Sequence, residues 1–431
     1  MKRRFLVGAI AAIAVLVAAM VAYGSSGKSG VSPLPTSSCP GKLVQGGGSA
    51  QFIIASDLPL QGSSRTQTIE MTEAIQYQLR QLKYKAGKYI VGYQSCDDST
   101  AQAGKWDSGK CSANVQNYVR NKDVIGVIGT FNSGCAEIEV PIANRASLGY
   151  VSPANTYVGL THSAPGVTSA GEPGKYYPTG KRNYIRVVAA DDFQGAADAI
   201  LAKGQGVTKV YILNDKEAYG AGIAGTFRNA AKRLNLQVVG DEAWDPKAAS
   251  YEALAGKIKN AGAQAVFLGG LECENGGKLI KDLRAGIGDA KIIAPDGFSS
   301  FSDTISHAGS ASDGMYISIA GQPNTKVKSG AGKAFIKGFG KVIGRDPNPY
   351  SLYGAQAASV MMLAIAKSNG TRASVTSNLF KTRVIGGILG SFVINKNGDT
   401  NLAPISVYLV KGGKATFFRV ITPPASLVAA A

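Results

Sequence analysis

The sequence predicts an α/β protein with two domains, each built on a parallel sheet. Apolar runs of strand length alternate with helical patterns from Phe52 onward, which is the rhythm of βαβ units. The alternation breaks over 161–182, a stretch rich in proline and glycine, and then resumes. The chain has 431 residues, enough for two ordinary domains, and its 54 glycines suit many strand-to-helix turns.

The first unit is predicted from apolar runs and the helical periods between them. A loop at 59–65 separates its first strand from its first helix. The predicted strands cover 51–56, 89–93, 124–128 and 150–152, and the predicted helices end near 82, include 115–119 and cover 135–147.

The second unit repeats the pattern and ends in a less regular region. Its predicted strands cover 209–213, 237–244, 265–268 and 291–294, with helices over 219–234, 251–261 and 274–285. A β segment at 314–320 follows, then two or three helices within 328–381, and late strands at 384–394 and 405–410.

Composition and motif content argue against several classes of protein. Lys and Arg number 46 against 28 Asp and Glu, but the basic residues are scattered, which indicates a solvated basic surface rather than a nucleic-acid partner. The chain has two histidines, no G-x-S-x-G or H-E-x-x-H motif and no C-x-x-C spacing. We therefore expect neither an enzyme nor a metal site or other cofactor.

The two ends of the chain have the composition of processing or tether segments. Basic residues followed by the uncharged stretch 5–23 predict a signal peptide or N-terminal anchor over 1–24, so membrane association through the N-terminus stays open. Residues 25–48, rich in Gly, Ser and Pro, predict a flexible linker. The tail 421–431 is predicted to be disordered.

Small hydroxyl residues follow two neighbouring predicted strands. Ser133 comes just before a helix, where free N–H groups and the helix dipole favour an anion, and Thr156 ends the next strand-to-turn segment. Ligands of open α/β sheets sit outside the carboxyl ends of the strands. An ordinary N-cap at Ser133 and a turn at 153–156 are the structural alternatives.

A second motif points to a different class of site. Residues 220–225 match the G-x-G-x-x-G pattern of dinucleotide-binding proteins, with Asp241 about 20 residues further on. A polar loop separates these glycines from the preceding strand, although the first glycine of such a site should follow its strand almost at once. Close packing of the helix on the sheet is therefore the favoured explanation.

Three segments in order carry a resemblance to a known family: GTFNSGCAEIEVPIANRASLGYVSPANT at 129–156, NDKEAYGAG at 214–222 and APDG at 294–297. With them the chain resembles the periplasmic leucine/isoleucine/valine-binding proteins, the type I solute-binding proteins of ABC importers. The resemblance implies two lobes joined by a three-crossing hinge. The expected lobes are 49–187 with 320–384, and 188–319 with 385–420.

The resemblance also implies a function. The protein would be exported, periplasmic or at the cell surface, and would capture an amino acid, branched-chain or related, for an ABC permease. A ligand-sensing receptor domain of the same fold, for an amide or another small solute, is the alternative. By the same resemblance Ser133 and Thr156 would hold the ligand carboxylate, and the carbonyl of Ala154 would take an ammonium hydrogen.

The second lobe would supply the rest of the site. Tyr219 matches a tyrosine that lines the family's cleft, and Asp296 matches an acidic residue that receives the ammonium group. A core aromatic and a turn residue are the alternatives for these two positions. Phe131 and Leu271 are possible pocket walls.

Five cysteines leave the disulfide pairing open in an exported chain. The family often has one bridge near Cys96, Cys111 and Cys135. We expect Cys96–Cys111 first and Cys96–Cys135 second, with at least one thiol left over.

Overall fold

The computed structural model describes residues 30–428. The predicted signal peptide or anchor over 1–24 lies outside the described residues, as do 25–29 and 429–431. Within the described part of the chain, no helix has both the length and the apolar character needed to cross a bilayer.

The first passage of the chain builds one large sheet, a separate hairpin of two short strands and three helices. Its strands are β1 (Val44–Gln45), β2 (Phe52–Leu58), β3 (Lys85–Ala86), β4 (Tyr89–Asp97), β5 (Ser99–Thr100), β6 (Lys105–Trp106), β7 (Val124–Gly129), β8 (Gly149–Ser152) and β9 (Tyr184–Arg186). Its helices are α1 (Arg65–Gln81), α2 (Ser108–Arg120) and α3 (Ser133–Arg145). Every residue of β7 is buried, as the continuous apolar run predicts for a strand covered on both faces.

The second passage builds the other sheet. Its helices are α4 (Asp191–Gly204), α5 (Ala218–Arg233), α6 (Glu252–Asn260), α7 (Gly276–Gly286) and α8 (Phe301–Ala308). Its strands are β10 (Lys209–Asn214), β11 (Gln237–Ala243), β12 (Ala265–Gly269), β13 (Lys291–Ala294) and β14 (Tyr316–Ile319).

The chain then returns to the side of the first sheet, where it adds helices and a hairpin, and it finally returns to the second sheet. The return adds α9 (Gly330–Ile343), α10 (Pro349–Ala366), α11 (Arg372–Leu379), β15 (Arg383–Gly387) and β16 (Gly390–Val393), and the last passage adds β17 (Ile405–Lys411) and β18 (Lys414–Ile421). Helix α10 begins with proline at its first position, and the Asn348 side chain accepts a hydrogen bond from the Tyr350 N–H.

Two sheets therefore form two lobes. The first has the strand order β1-β4-β2-β7-β8-β9 and is parallel from β4 to β9. The second has the order β11-β10-β12-β13-β14-β17-β18, parallel as far as β14. The chain crosses between the lobes three times, after β9, β14 and β16, which confirms the predicted two-lobed α/β fold.

The predicted lobe boundary at 385 is wrong. Residues 384–394 do not form one late strand of the second sheet, because β15 and β16 turn back on each other as a hairpin. This hairpin packs beside α9 and α10, where Leu389 N–H donates to the Gln356 side chain at 3.2 Å. The chain enters the second lobe again only at β17.

The flexible linker over 25–48 is also contradicted for the residues that the structure describes. Leu34 is buried, and its N–H donates to the Gln94 side chain at 2.8 Å. Strand β1 pairs with β4. These contacts fix 30–48 to the first lobe, although the Gly, Ser and Pro content indicated a tether.

The tail is ordered as far as residue 428, which corrects the prediction of disorder over 421–431. Val428 is buried, and its carbonyl accepts a hydrogen bond from Arg233 at 2.8 Å. Because α5 supplies that arginine, the tail packs on the second lobe.

The disulfide pairing differs from both predicted choices. The bridges are Cys39–Cys96 and Cys111–Cys135, and Cys273 keeps a free thiol. The prediction failed because it placed Cys39 in a flexible tether and so excluded it. With 30–48 packed on β4, Cys39 reaches Cys96, and Cys111 at the start of α2 pairs with Cys135 in the first turn of α3.

A buried ionic cluster joins the first and third crossings. Arg186 at the end of β9 is fully buried and contacts Asp399 at 2.7 Å. His162 lies 3.2 Å from Asp192 and 3.4 Å from Asp399. Burial opposes the charged ring, but hydrogen bonds to these two carboxylates raise the pKa of His162 to about 9. The cluster therefore holds a charged histidine at neutral pH.

We expect His162→Gln to lower the free energy of unfolding by about 2 to 3 kcal/mol at pH 6. A raised histidine pKa stabilises the fold fully below about pH 6.5, the ordinary histidine value, and this contribution disappears as the pH rises through about 9. The loss should therefore be small at pH 10. Urea titrations at the two pH values measure it, and His307→Gln, in a half-exposed pair, is the control with little effect. An equal loss at both pH values would contradict the assignment.

Candidate functional site

The carboxyl ends of β7 and β8 bring the first-lobe residues together. Strand β7 ends at Gly129 and α3 begins at Ser133, so the side chain of Ser133 lies at the N-terminus of a helix. The Ser133 Oγ accepts the N–H of Tyr157 at 3.4 Å, which leaves its hydroxyl hydrogen free to donate. The first N–H groups of α3 have no partners within the helix.

Polar side chains fix the loop after β8. The Ser152 hydroxyl accepts the N–H groups of Ala154 at 3.1 Å and Asn155 at 2.8 Å. The Asn155 amide in turn donates to the Phe131 carbonyl at 2.9 Å. These bonds hold the loops after β7 and β8 in one arrangement, with Ala154 and Thr156 beside Ser133.

The second lobe contributes a half-buried carboxylate. Asp296 follows β13, and its two oxygens accept hydrogen bonds from the hydroxyls of Tyr219 and Tyr350, each at 2.6 Å. Tyr219 lies in the first turn of α5, whereas Tyr350 belongs to α10 of the opposite lobe. The carboxylate is therefore held from both sides of the cleft.

No cation neutralises Asp296 within the described part of the chain. Burial raises the pKa of Asp296, and the hydrogen bonds from Tyr219 and Tyr350 lower it only in part. Asp191, at the start of α4, is also fully buried. Burial, together with repulsion from Asp296, raises the pKa of Asp191 well above its usual range. Burial therefore disfavours the ionised forms of two neighbouring carboxyl groups, although Arg186 stabilises that of Asp191 in part.

All seven residues predicted for the site line one cavity between the lobes. The space between its walls measures about 430 Å³, open solvent at its mouth included. The predicted residues on its wall are Phe131, Ser133, Ala154, Thr156, Tyr219, Leu271 and Asp296. Their roles in binding stay predictions.

Sequence reasoning missed several residues of the wall. Trp106, Glu217 and Tyr350 also line the cavity. Trp106 lies between β4 and α2, in a segment that contains no recognisable motif. Only its closeness to Cys111 in the sequence could have indicated that it lies near the cleft. The register of Tyr350 on α10 depends on tertiary packing of a helix that is apolar on nearly all sides.

The glycine motif at 220–225 lies inside α5 and not on a strand-to-helix turn. A Cβ atom at Gly222 would come within 2.5 Å of the Tyr157 ring of the first lobe. Asp241 pairs with Arg228. These glycines serve close packing, as favoured from the sequence, and Gly222 lets the two lobes approach each other.

Comparison with known proteins supports the same architecture. The sequence model of a family described as periplasmic binding protein matches residues 58–415. A "Leucine-, isoleucine-, valine-, threonine-, and alanine-binding protein" of Pseudomonas aeruginosa is 26% identical over 296 residues, which cover 68% of this chain and 74% of that protein.

Solved structures show the fold. The leucine binding protein LivK of Thermotoga maritima superposes with a TM-score of 0.75 at 23% identity, over 86% of this chain and 99% of that one. A solute binding protein of an ABC transporter from R. palustris, in complex with benzoate, gives a TM-score of 0.68 at 17% identity, over 87% and 97% of the two chains. Similar folds thus accompany different ligands.

We expect Asp191→Asn to raise the free energy of unfolding of the ligand-free protein at pH 8, by about 1 to 3 kcal/mol. A buried carboxylate with a raised pKa destabilises the fold once the pH exceeds that pKa, and the amide removes this charge. At pH 4 the carboxyl is already protonated in the fold, so the gain should vanish. Thermal unfolding at both pH values measures it. Asp289→Asn, at an exposed position, is the control; a destabilised Asp191→Asn at pH 8 would contradict the account.

Proposed function

The chain belongs to the periplasmic binding protein family, and we propose that it captures one α-amino acid between its lobes for delivery to an ABC permease. The family comprises the substrate-binding proteins of branched-chain amino acid ABC transporters and is one of solute-binding proteins rather than enzymes. Which side chain the ligand carries is a separate question, because the related proteins are described with different ligands.

One observation carries the proposal. Asp296 is a half-buried carboxylate that accepts hydrogen bonds from the neutral hydroxyls of Tyr219 and Tyr350, and it lines the same cavity as the N-terminus of α3. A buried charge without a partner is costly, and a ligand cation would neutralise it. The free N–H groups of α3 favour a negative group. A zwitterion with ammonium and carboxylate on one carbon satisfies both ends.

Each residue then has a distinct role. The hydroxyls of Ser133 and Thr156 and the first N–H groups of α3 hold the ligand carboxylate. The carbonyl of Ala154 and the carboxylate of Asp296 accept the ammonium hydrogens. Tyr219 positions Asp296 from its own lobe, while Phe131 and Leu271 cover apolar parts of the ligand. Because these groups come from both lobes, closure and binding are one event.

An aromatic carboxylate fits this cavity less well. Benzoate, the ligand of one structural relative, would satisfy the α3 end but bring no cation to Asp296. Burial would then continue to disfavour the ionised form of Asp296 in the closed cleft. The electrostatics favour an amino acid over a simple acid.

The cellular setting follows from the family. We propose that residues 1–24 direct the chain out of the cytoplasm or anchor it, and that the two lobes work outside the membrane. The closed lobes would then present one surface to the permease. Tyr350, which joins Asp296 across the cleft, would help that closed form persist.

We expect Asp296→Asn to weaken the binding of α-amino acids by about 2 to 5 kcal/mol, because the ligand ammonium loses its charged partner. Isothermal titration of the purified protein with leucine, isoleucine, valine, threonine, asparagine and benzoate measures this effect. The exposed carboxylate variant Asp289→Asn should bind as the wild type does. Benzoate binding with no response to any amino acid would reject the proposal.

We also expect affinity to fall on acidification. The ammonium group binds the ionised form of Asp296, whose pKa burial raises, so below that pKa the dissociation constant should rise about tenfold per pH unit. Asp191, Tyr219 and Tyr350 also face this carboxylate, and the dependence should largely vanish in Asp296→Asn. Titrations from pH 4 to pH 8 test it, and an affinity independent of pH would remove Asp296 from contact with the cation.

A further inference from the structure

A short hairpin of β5 and β6 lies over the cleft and is fixed to the first lobe. Gln61 N–H donates to the Ser99 hydroxyl at 2.9 Å, and Ser63 N–H donates to the Gly104 carbonyl at 3.2 Å. Gly62 approaches Gly104 so closely that a Cβ atom there would collide with its carbonyl. The hairpin is therefore a defined part of the wall.

The same hairpin is held by the second lobe. The Lys105 ammonium group lies 3.0 Å from Glu217 and also contacts Glu274. Both glutamates belong to the second lobe, and the Glu274 side chain is almost completely buried. Trp106 follows Lys105 in β6, so these ion pairs hold Trp106 beside the cavity.

Trp106 is a cavity-lining residue with a hydrogen-bond donor in its side chain. A Cβ atom at Gly134 would lie 2.6 Å from the Trp106 ring, so the indole packs on the first turn of α3. The ring lines the cavity, and its Nε1 atom is buried without a hydrogen-bond partner among residues 30–428. Buried indole N–H groups usually have a partner.

Asn132 gives the same wall an acceptor. It precedes α3, lines the cavity and is 5% exposed, yet its side chain makes no capping hydrogen bond. Its Oδ1 atom is buried and also lacks a partner within the described range. A donor and an acceptor in one largely apolar wall match a group that both accepts and donates.

We infer that the cleft selects an amino acid whose side chain carries a neutral group with acceptor and donor, a carboxamide in particular, through Trp106 and Asn132. The inference rests on the proposed function, because the ligand's zwitterionic end must be held by Ser133, Thr156 and Asp296. A purely aliphatic side chain would leave both polar atoms buried and unpaired, whereas a carboxamide pairs both.

Isosteric ligands test this selection. Asparagine and leucine have the same shape, since both branch at Cγ, but they differ in polarity. Threonine and valine, which both branch at Cβ, form a second pair of this kind. The wild-type protein should bind asparagine at least about tenfold more tightly than leucine in calorimetric titration, since each unpaired buried polar atom costs about that factor. Tighter binding of leucine would overturn the inference without any variant.

Matched variants assign the effect to residues. Trp106→Phe, which keeps a ring but removes the N–H, should weaken asparagine about tenfold and change leucine by less than about threefold. Asn132→Ala should act in the same direction. Trp244→Phe removes the other indole, whose Nε1 donates to the Glu274 carbonyl at 2.8 Å away from this wall, and should keep the asparagine-to-leucine ratio. An unchanged ratio in Trp106→Phe would overturn the assignment.

The outcomes separate this inference from the proposed function. Asp296→Asn should weaken asparagine and leucine alike, because it acts on the end that they share. Binding of both amino acids without preference rejects the role of Trp106 and Asn132 alone. Silence toward both rejects the proposed function and the selection with it.

Fluorescence provides an independent measurement. The chain has two tryptophans, so Trp244→Phe leaves Trp106 as its only indole. Asparagine should shift the emission of that variant, and the titration should give the calorimetric dissociation constant. If calorimetry shows saturation of this variant while its emission does not change, the indole lies away from the ligand and the inference is overturned.

Discussion

The carboxylate of Asp296 accepts one hydroxyl from its own lobe, Tyr219, and one from the opposite lobe, Tyr350. Both donors are neutral, so they can orient the carboxylate but cannot balance its charge. The site therefore combines a fixed position with an unmet electrostatic requirement. In the proposed function, a positively charged ligand group would meet that requirement only when the lobes are close, and this would couple recognition to closure. The lobes, the crossings and the strand-end loops all serve to bring these three side chains to one point.

The hinge and the cleft use buried charge in opposite ways. At the crossings, Arg186 and His162 surround Asp399 and hold its pKa well below the usual range, so the charges compensate one another and stabilise the fold. In the cleft, Asp191 and Asp296 repel each other, and Arg186 offsets the burial of Asp191 only in part. The ion pairs stabilise the crossings between the lobes. In the proposed function, a ligand cation would stabilise the ionised carboxylate in the cleft. A protein with both can stay folded while its site remains poised for a cation.

The sequence was sufficient where local patterns determine the structure. Apolar runs located the central strands of both large sheets, and the strand-end rule placed Ser133 and Thr156 beside each other. It was insufficient where a contact distant in sequence decides. The composition of 30–48 indicates a tether, but Gln94 and Cys96 on β4 hold it in place. The apolar run at 384–394 predicts one strand, yet the glycines at its centre let it reverse. Trp106 reaches the cavity through contacts of a short hairpin with both lobes, which no local period encodes.

The three crossings described above also determine when the molecule can fold. Helix α1 packs on α10, almost 280 residues later, and the second sheet is completed by β17 and β18 near the C-terminus. Neither core can close until synthesis has reached these late segments. Such non-local contacts slow folding and leave apolar surface exposed in incomplete chains. An incomplete chain of this protein therefore exposes apolar surface during most of its synthesis, and the last strands set the earliest time at which the native state can form.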